Sequence, residues 1–278
     1  MTNPGTGIRY NGQYTDQNIP IRYKDTIIDK YTKYVFDSLD TQSWPSQSAP
    51  LSGNTWKSLT NQTATASFLS PDYPGFAGGG FNFAEYTVSS PSSIATKTEQ
   101  IILPATAKIA ASSKGHAFAF WVNRTGGTSG KQTRIGGWFY GFTGPFGLYQ
   151  QDNTFTIICD GKHSDRSSIS TNTRHQFAAA RVDDGSGGYQ IRFYVDGVMV
   201  DSKAGNSTVS QPSTAPANAT LGHSPDSGLS SSLAATFQGR QYRHWMTDAE
   251  TIANVFTAAY ADQLIATDWT DNKDRSFV

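Results

Sequence analysis

The sequence predicts an all-β sandwich with one short helix near its C-terminus. Three observations lead there. The stretch His175–Asp201, HQFAAARVDDGSGGYQIRFYVDGVMVD, reads as three strands joined by two turns. Within it Tyr189, Ile191, Phe193 and Val195 alternate with Gln190, Arg192 and Tyr194, the period of two that half-buries a strand. Asp196-Gly197 then sits between two apolar runs, and both residues tolerate the positive φ of a two-residue hairpin turn. Finally, Glu85, Glu99 and Glu250 are the only glutamates, while Gly, Ser, Thr, Asn and aromatic residues are plentiful, a composition of strands and turns rather than helices.

At 278 residues the chain has room for one large β domain with extensions. Lys+Arg and Asp+Glu balance at 22 each, so no global field favours nucleic acid or anionic lipid. Cys159 is the single cysteine, which excludes an intrachain disulfide and leaves stability to the core. The N-terminus, MTNPGTGIRYNGQY, lacks a basic stretch followed by an apolar run, so no signal peptide is expected. No run reaches the ~18 apolar residues of a membrane span.

In chain order, residues 1–33 read as an N-terminal arm. Thr2–Asn18 has no hydrophobic period, and a short helix capped by Asp25 is expected where Ile27, Tyr31, Tyr34 and Val35 fall at helical spacing. Tyr10, Tyr14, Ile19, Ile21, Tyr23, Ile27, Ile28 and Tyr31 are the expected anchoring residues, because a chain in water gains little from apolar groups it cannot bury. Val35, Phe36 and Leu39 open the first strand. Residues 116–126, HAFAFWVNRTG, are apolar on both faces and predict a central strand buried on both sides. Residues 134–158 form a glycine-spaced aromatic segment. Thr247-x-x-Glu250 has the form of a capping box, and Ile252, Val255, Phe256 and Ala259 share one helical face, so the helix is expected at 248–261. Residues 263–278 are expected to be a polar tail.

Several phrases, taken in order, resemble laminin-G-like, concanavalin A-like jelly-roll domains. They are LSGNTWKSLTNQ, GGGFNFAEYTVSS, HAFAFWVNRTG, HQFAAARVDDG with IRFYVDGVMV, ATLGHS, and FQGRQYRHWMTDAETIANVF. The resemblance runs from Tyr34 to Asp262 and implies a jelly-roll sandwich as residues 34–262. Lys57 stands where the family often has an acidic residue, and Arg240-Gln241 replace a usual isoleucine-aspartate pair.

Candidate chemistry is sparse. Glucanases of this fold place carboxylates on alternate residues of one strand, and retaining hydrolysis needs a pair ~5–5.5 Å apart. None of the three glutamates begins such a motif. Cys159, in the apolar FTIICDG, reads as a small buried hydrophobe. Asp160, His163 and Asp165 are the candidate ligands for Ca²⁺, the one cofactor considered. For sugar binding, the resemblance to lectins of this fold points to Trp138, Tyr140 and Tyr149 with Asn123, Arg124 and Asp152, and to Arg192 and Tyr194 on one strand face.

LSGNTWKSLTNQ resembles the opening of many phage and bacterial laminin-G-like domains, and that resemblance implies a non-enzymatic virion structural protein of a tailed bacteriophage, assembled in the host bacterial cytoplasm. It would display a lectin-like jelly roll as capsid decoration, head fibre or tail receptor-binding protein, with a host surface glycan as candidate ligand. The arm would meet other virion proteins, and a homo-oligomer is left open. Neither nucleic acid nor membrane is an expected partner. The alternative is a carbohydrate-active enzyme or its carbohydrate-binding module.

Overall fold

The computed structural model describes residues 25–60, 64–84, 99–126, 132–141, 143–152, 154–214, 218–222 and 234–275. Tyr10, Tyr14, Ile19, Ile21 and Tyr23 lie outside them. The described strands are β1 (Thr32–Asp37), β2 (Thr55–Lys57), β3 (Thr65–Phe68), β4 (Gly75–Ala77), β5 (Gly80–Phe83), β6 (Gln100–Ile102), β7 (His116–Arg124), β8 (Gln132–Tyr140) and β9 (Thr143–Gln151). They continue with β10 (Thr154–Cys159), β11 (Lys162–His163), β12 (Ser167–Ser168), β13 (Arg174–Asp183), β14 (Tyr189–Val195), β15 (Val198–Ala204), β16 (Thr220–Gly222), β17 (Ala234–Thr236) and β18 (Gly239–Asp248). One α-helix follows, α1 (Ala258–Asn272).

The strands form two sheets. The first has the order β15-β14-β13-β7-β18-β5-β4, with β1 also on β18. The second has the order β11-β10-β9-β8-β16-β6-β3-β2, with β12 on β10 and β17 on β8. Pairing is antiparallel except between β17 and β8. Among the described residues the fold is an all-β jelly-roll sandwich with one α-helix, near the C-terminus.

The alternation within β7 sorts its side chains between two cores. Phe118, Phe120 and Val122 enter the sandwich interior with Phe146, Leu148, Phe155 and Ile157. Ala117 and Ala119 face the other way, with Ala178, Ala180 and Val182 of β13 and Trp245 of β18. Ala261, Leu264 and Ile265 of α1 close on this face. The alanine columns leave the room that lets a helix lie directly on the sheet. All nine residues of β7 are buried, as its two apolar faces predict.

The Asp196-Gly197 turn has both residues at positive φ, +52° and +77°, and Val195 pairs Val198 across it. A Cβ on Gly197 would lie 2.8 Å from Trp269 Cβ of α1. Gly197→Val therefore meets backbone strain and a clash together, and a loss of about 1–3 kcal/mol is expected. A thermal melt checks this, and an unchanged midpoint would contradict the turn geometry.

Three expected elements move. Asp25 starts a turn, with Ile28 N–H donating to its carbonyl at 3.0 Å, but Tyr34 and Val35 continue as β1 rather than as helix. Pairing of Val35 with Trp245 outweighs the local helical spacing. Thr247 does not cap a helix: it lies inside β18, buried, paired with Thr32 of β1 and Ala117 of β7. Glu250 is exposed and pairs with Lys33. Thr257 is the actual cap, accepting from Tyr260 N–H at 3.2 Å. The helix thus begins ten residues late, and the expected tail contains buried Leu264, Ile265, Asp268 and Asn272.

A buried polar cluster fastens α1 to the sheet. The Asp268 carboxylate accepts from Trp121 Nε1, Trp245 Nε1 and Gln176 Nε2, each at 2.7 Å, and from Arg243 Nε at 2.8 Å. Arg243 also pairs with Asp37 at 2.8 Å and Asp25 at 2.7 Å, tying the N-terminal turn to the helix. Burial works against the Arg243 charge, but Asp268, Asp25 and Asp37 together hold its pKa well above the usual value.

His244 adds a pH dependence. Its Nδ1 lies 2.8 Å from the Ala119 carbonyl, which can only accept, so Nδ1 carries the proton and Nε2 accepts from Tyr34 OH at 3.0 Å. Burial lowers its pKa from 6.5 to about 3, against that Ala119 bond. The unfolded chain takes up a proton near 6.5 that the folded chain refuses until about 3. Stability is therefore complete above that window and falls as pH drops through it, by at most ~1.4 kcal/mol per pH unit. A lower urea midpoint at pH 4.5 than at pH 7.5 is expected, with His244 ring resonances unchanged between them. A resonance titrating near 6.5 would contradict the burial.

Candidate functional site

The polar groups that gather at one place do so at one end of the sandwich. β7 ends there at Arg124, β13 begins there at Arg174, and Asn123 pairs Arg174 across them. The β9–β10 turn brings Asp152, the β12–β13 loop brings Ser170 and Asn172, and the β14–β15 turn brings Asp196. Asn172 N–H donates to the Arg124 carbonyl at 2.7 Å, joining loop to strand. Burial lowers the Arg124 pKa while the charge of Asp152 opposes it, which places these two side chains in one field.

Within this rim lies a linear relay. Ser170 Oγ is 3.2 Å from His175 Nε2, and His175 Nδ1 is 2.7 Å from Asp196 Oδ2. The other Asp196 oxygen accepts the Gln176 N–H at 2.9 Å, so the carboxylate is fixed by the turn. Asp196 orients the imidazole with Nδ1–H toward itself, leaving Nε2 to accept from the Ser170 hydroxyl. Ser170 is exposed and His175 half-buried. This is the order nucleophile, base, orienting acid. The sequence hid it because Ser170 and Asp196 lie on opposite sides of His175, Ser170 in a loop of unremarkable wording. The Asp196-Gly197 turn and the adjoining His175 strand were legible, but their convergence with Ser170 needed the fold.

The predicted sugar-binding residues do not form one set. A sugar platform must show a ring face, yet Trp138, Tyr149 and Tyr194 are 8%, 5% and 1% exposed. Trp138 fills the sandwich core, and Tyr149 packs with Phe139 and Ile158. Tyr194 faces α1 and donates to Asp262 at 2.7 Å, and burial together with that carboxylate raises its pKa. Tyr140 is half-buried at the β8–β9 turn, the end of that hairpin opposite Asp152. Asn123 and Arg124 are buried at the rim, where Arg124 Nε donates to the Gly126 carbonyl at 2.7 Å. Arg192 lies elsewhere, paired with Asp262 at 3.2 Å.

The predicted cation ligands also separate. Asp160 is fully buried against Arg181 and accepts the backbone N–H of Asn206 and Ser210. Asp165 is exposed and pairs with Lys203 at 3.2 Å, and His163 is half-buried. Among the described residues no group of three or more His, Cys, Asp or Glu could hold a metal. A guanidinium fills the place beside Asp160 that a cation would take. Cys159 is buried 3.6 Å from His116 Nε2, and burial, helped by the charge of Asp160, raises its pKa well above the usual thiol range. That environment keeps the thiol protonated and unreactive.

No family model matches the chain, and no curated protein matches it. The chain is similar in fold to a sialidase. The Trypanosoma rangeli sialidase in complex with sialic acid aligns with TM-score 0.53 and 11% identity over 89% of this chain and 34% of that one. The same enzyme with 2,3-difluorosialic acid gives 0.54 and 10% over the same shares. The chain thus spans about a third of the sialidase length. The receptor-binding domain of botulinum neurotoxin D aligns with TM-score 0.47 and 10% identity, over 87% of this chain and 52% of that one. At these identities the likeness to the sialidase is one of fold.

Proposed function

We propose that the chain is a structural protein of a tailed-phage particle, a rigid jelly roll displayed on the particle and joined to it by residues 1–24. One observation carries the reading: residues from Asp25 onward belong to the body. Asp25 is bound by Arg243, and Ile27 is buried against the helix-side core. Ile28 packs there too, and the Tyr31 carbonyl accepts the Asp248 N–H at 3.0 Å, so these residues belong to the body and the proposed anchor is residues 1–24. Residues 1–24 keep Ile8, Tyr10, Tyr14, Ile19, Ile21 and Tyr23 for a neighbour. The test is co-purification. The full chain, tagged at its C-terminus in infected cells, is expected to retain an identified structural protein of the same particle. A 25–278 chain is expected to lose it. Equal retention by both would overturn the reading.

Glycan contact belongs to the same proposal, and the polar rim of Asp152, Ser170 and His175 is the surface for it. The sialidase likeness supports the fold that such a site needs, and the rim supplies its hydrogen-bonding groups.

The relay favours a second reading, a carbohydrate-active enzyme that cleaves acyl esters. Ser170 Oγ would attack the ester carbonyl carbon and pass its proton to His175 Nε2. That proton would go to the departing alcohol, and water would then release the acyl group from Ser170. Labelling by a fluorophosphonate probe, lost in Ser170→Ala, would establish this reading. Absence of labelling in the folded wild type would remove it.

A further inference from the structure

We infer that Arg240 and Asn123, side by side at the end of the first sheet, bind an acidic sugar, its carboxylate on Arg240 and a neighbouring hydroxyl on Asn123. Asn82 of β5, Arg240 of β18, Asn123 of β7 and Arg174 of β13 pair in register, so the four side chains form one row on one face of the sheet. Asn123 lies two residues beyond Trp121, whose indole meets Asp268 of α1, so the row is on the helix side. The helix stops at this row. Arg174 Nη2 donates to the carbonyls of Asn272 and Lys273 at 2.9 and 2.8 Å, which commits Arg174 to the helix end. Among the described residues no hydrogen bond from α1 reaches the side chains of Asn123, Arg240 or Asn82.

Two polar atoms in the row are stranded. Asn123 is 7% exposed, and its Oδ1 is enclosed without a hydrogen-bond partner. Arg240 Nε is enclosed without one too. Among the described residues no carboxylate pairs with Arg240, and the Asn82 side chain makes no hydrogen bond. Buried polar groups are normally satisfied, so an unsatisfied donor beside an unsatisfied acceptor is where a ligand would complete the set. The two call for different chemistry. A guanidinium has donors only and takes a carboxylate in its fork, while an amide oxygen needs a hydroxyl to donate to it. Cross-strand partners sit about 4.5–5.5 Å apart at Cβ, so a carboxylate and a hydroxyl on adjoining carbons would reach both. Asn82 lengthens the row to about 10 Å, two strand spacings, which suits a sugar ring rather than a small hydroxy acid. Gly78 leaves the space the guanidinium occupies: it is exposed, and a Cβ there would lie 2.8 Å from Arg240 Nη1. Neither Arg240 nor Asn123 is tied by a side-chain bond, so both turn toward a ligand without losing one.

The inference deepens the glycan part of the proposal, since Arg174 leads directly into His175 of the rim, yet the two fail separately. Its test is an NMR titration of the full-length chain with glucuronate, glucose and acetate, read on the arginine Nε–H and asparagine Nδ2–H resonances. Glucuronate is expected to shift Arg240 and Asn123 saturably, and glucose or acetate at the same concentration to leave them in place. Arg240→Gln is expected to weaken glucuronate binding, read on Asn123, by about tenfold or more. Asn82→Ala is expected to weaken it less. Lys203→Gln, which removes a charge at the β15 edge, is expected to change nothing. Melting midpoints of Arg240→Gln and the wild type should agree, because Arg240 holds no partner whose loss would be felt. Glucuronate binding that survives Arg240→Gln, or an acetate shift equal to that of glucuronate, would overturn the inference. Glucuronate shifts confined to Ser170 and His175 would overturn it and leave the glycan proposal standing at the rim. No response to glucuronate would overturn it as well, while the glycan proposal falls only if sugars without a carboxylate also leave Ser170 and His175 unmoved.

Discussion

Asp268→Ala is expected to destabilise the domain by about 3–5 kcal/mol, the cost of breaking a buried ion pair from one side. The carboxylate is fully buried and is the shared acceptor for two indoles, two amides and one guanidinium. Removing it leaves Trp121, Trp245 and Gln176 with unsatisfied buried donors. It also takes from Arg243 one of its three carboxylates. Because those donors come from β7, β18 and β13, the damage is to the contact between sheet and helix. Asp268→Asn keeps an acceptor oxygen but loses the charge, so a smaller loss is expected. Urea unfolding of the three proteins measures both steps. A near-neutral Asp268→Ala would show that α1 is held by its apolar face alone.

Asp160→Ala is expected to cost a similar ~3–5 kcal/mol for a different reason. Here a single pair is fully buried, Asp160 with Arg181, between the two sheets. Without the carboxylate, Arg181 keeps the Asn206 carbonyl at 2.8 Å and the Tyr189 ring, 3.7 Å from its guanidinium carbon. Neither neutralises a buried charge. Asp160 also has φ +53°, which alanine adopts less readily. Since the pair is an ion pair and not half of a metal site, Ca²⁺ or a chelator should leave the wild-type melting temperature unchanged. A rise with Ca²⁺ would restore the cation reading of Asp160, His163 and Asp165.

The parts legible in the sequence were those whose signal is local. The hairpin at Asp196-Gly197 is written in two residues and the period of the strands beside them. β7 is written in an apolar run with two dissimilar faces, and even its division of labour, alanine toward the helix and phenylalanine toward the interior, is visible as alternation. The helix position was not legible, because Thr247 and Glu250 satisfy a capping pattern that long-range pairing of β18 with β1 and β7 overrides. Asp268 was not legible as the hub of a network, because its donors on the sheet lie 23 to 147 residues away. The aromatic candidates failed as a group for a physical reason. In a sandwich with two cores, large rings are more useful as filling than as platforms, and sequence alone does not say which way Trp138 or Tyr194 turns. The rim relay needed a loop, a strand and a turn to converge, which no single stretch records.

Asp25 and the residues after it belong to the body, and the proposed role of the preceding residues is to join it to a particle. The most direct measurement is the occupancy of a 25–278 chain in particles assembled without the wild-type copy, with its melting temperature taken in parallel. The expected result is a folded chain, as stable as the full-length protein, and particles that lack it. Wild-type occupancy by that folded chain would contradict the claim and move the docking surface onto the sandwich itself.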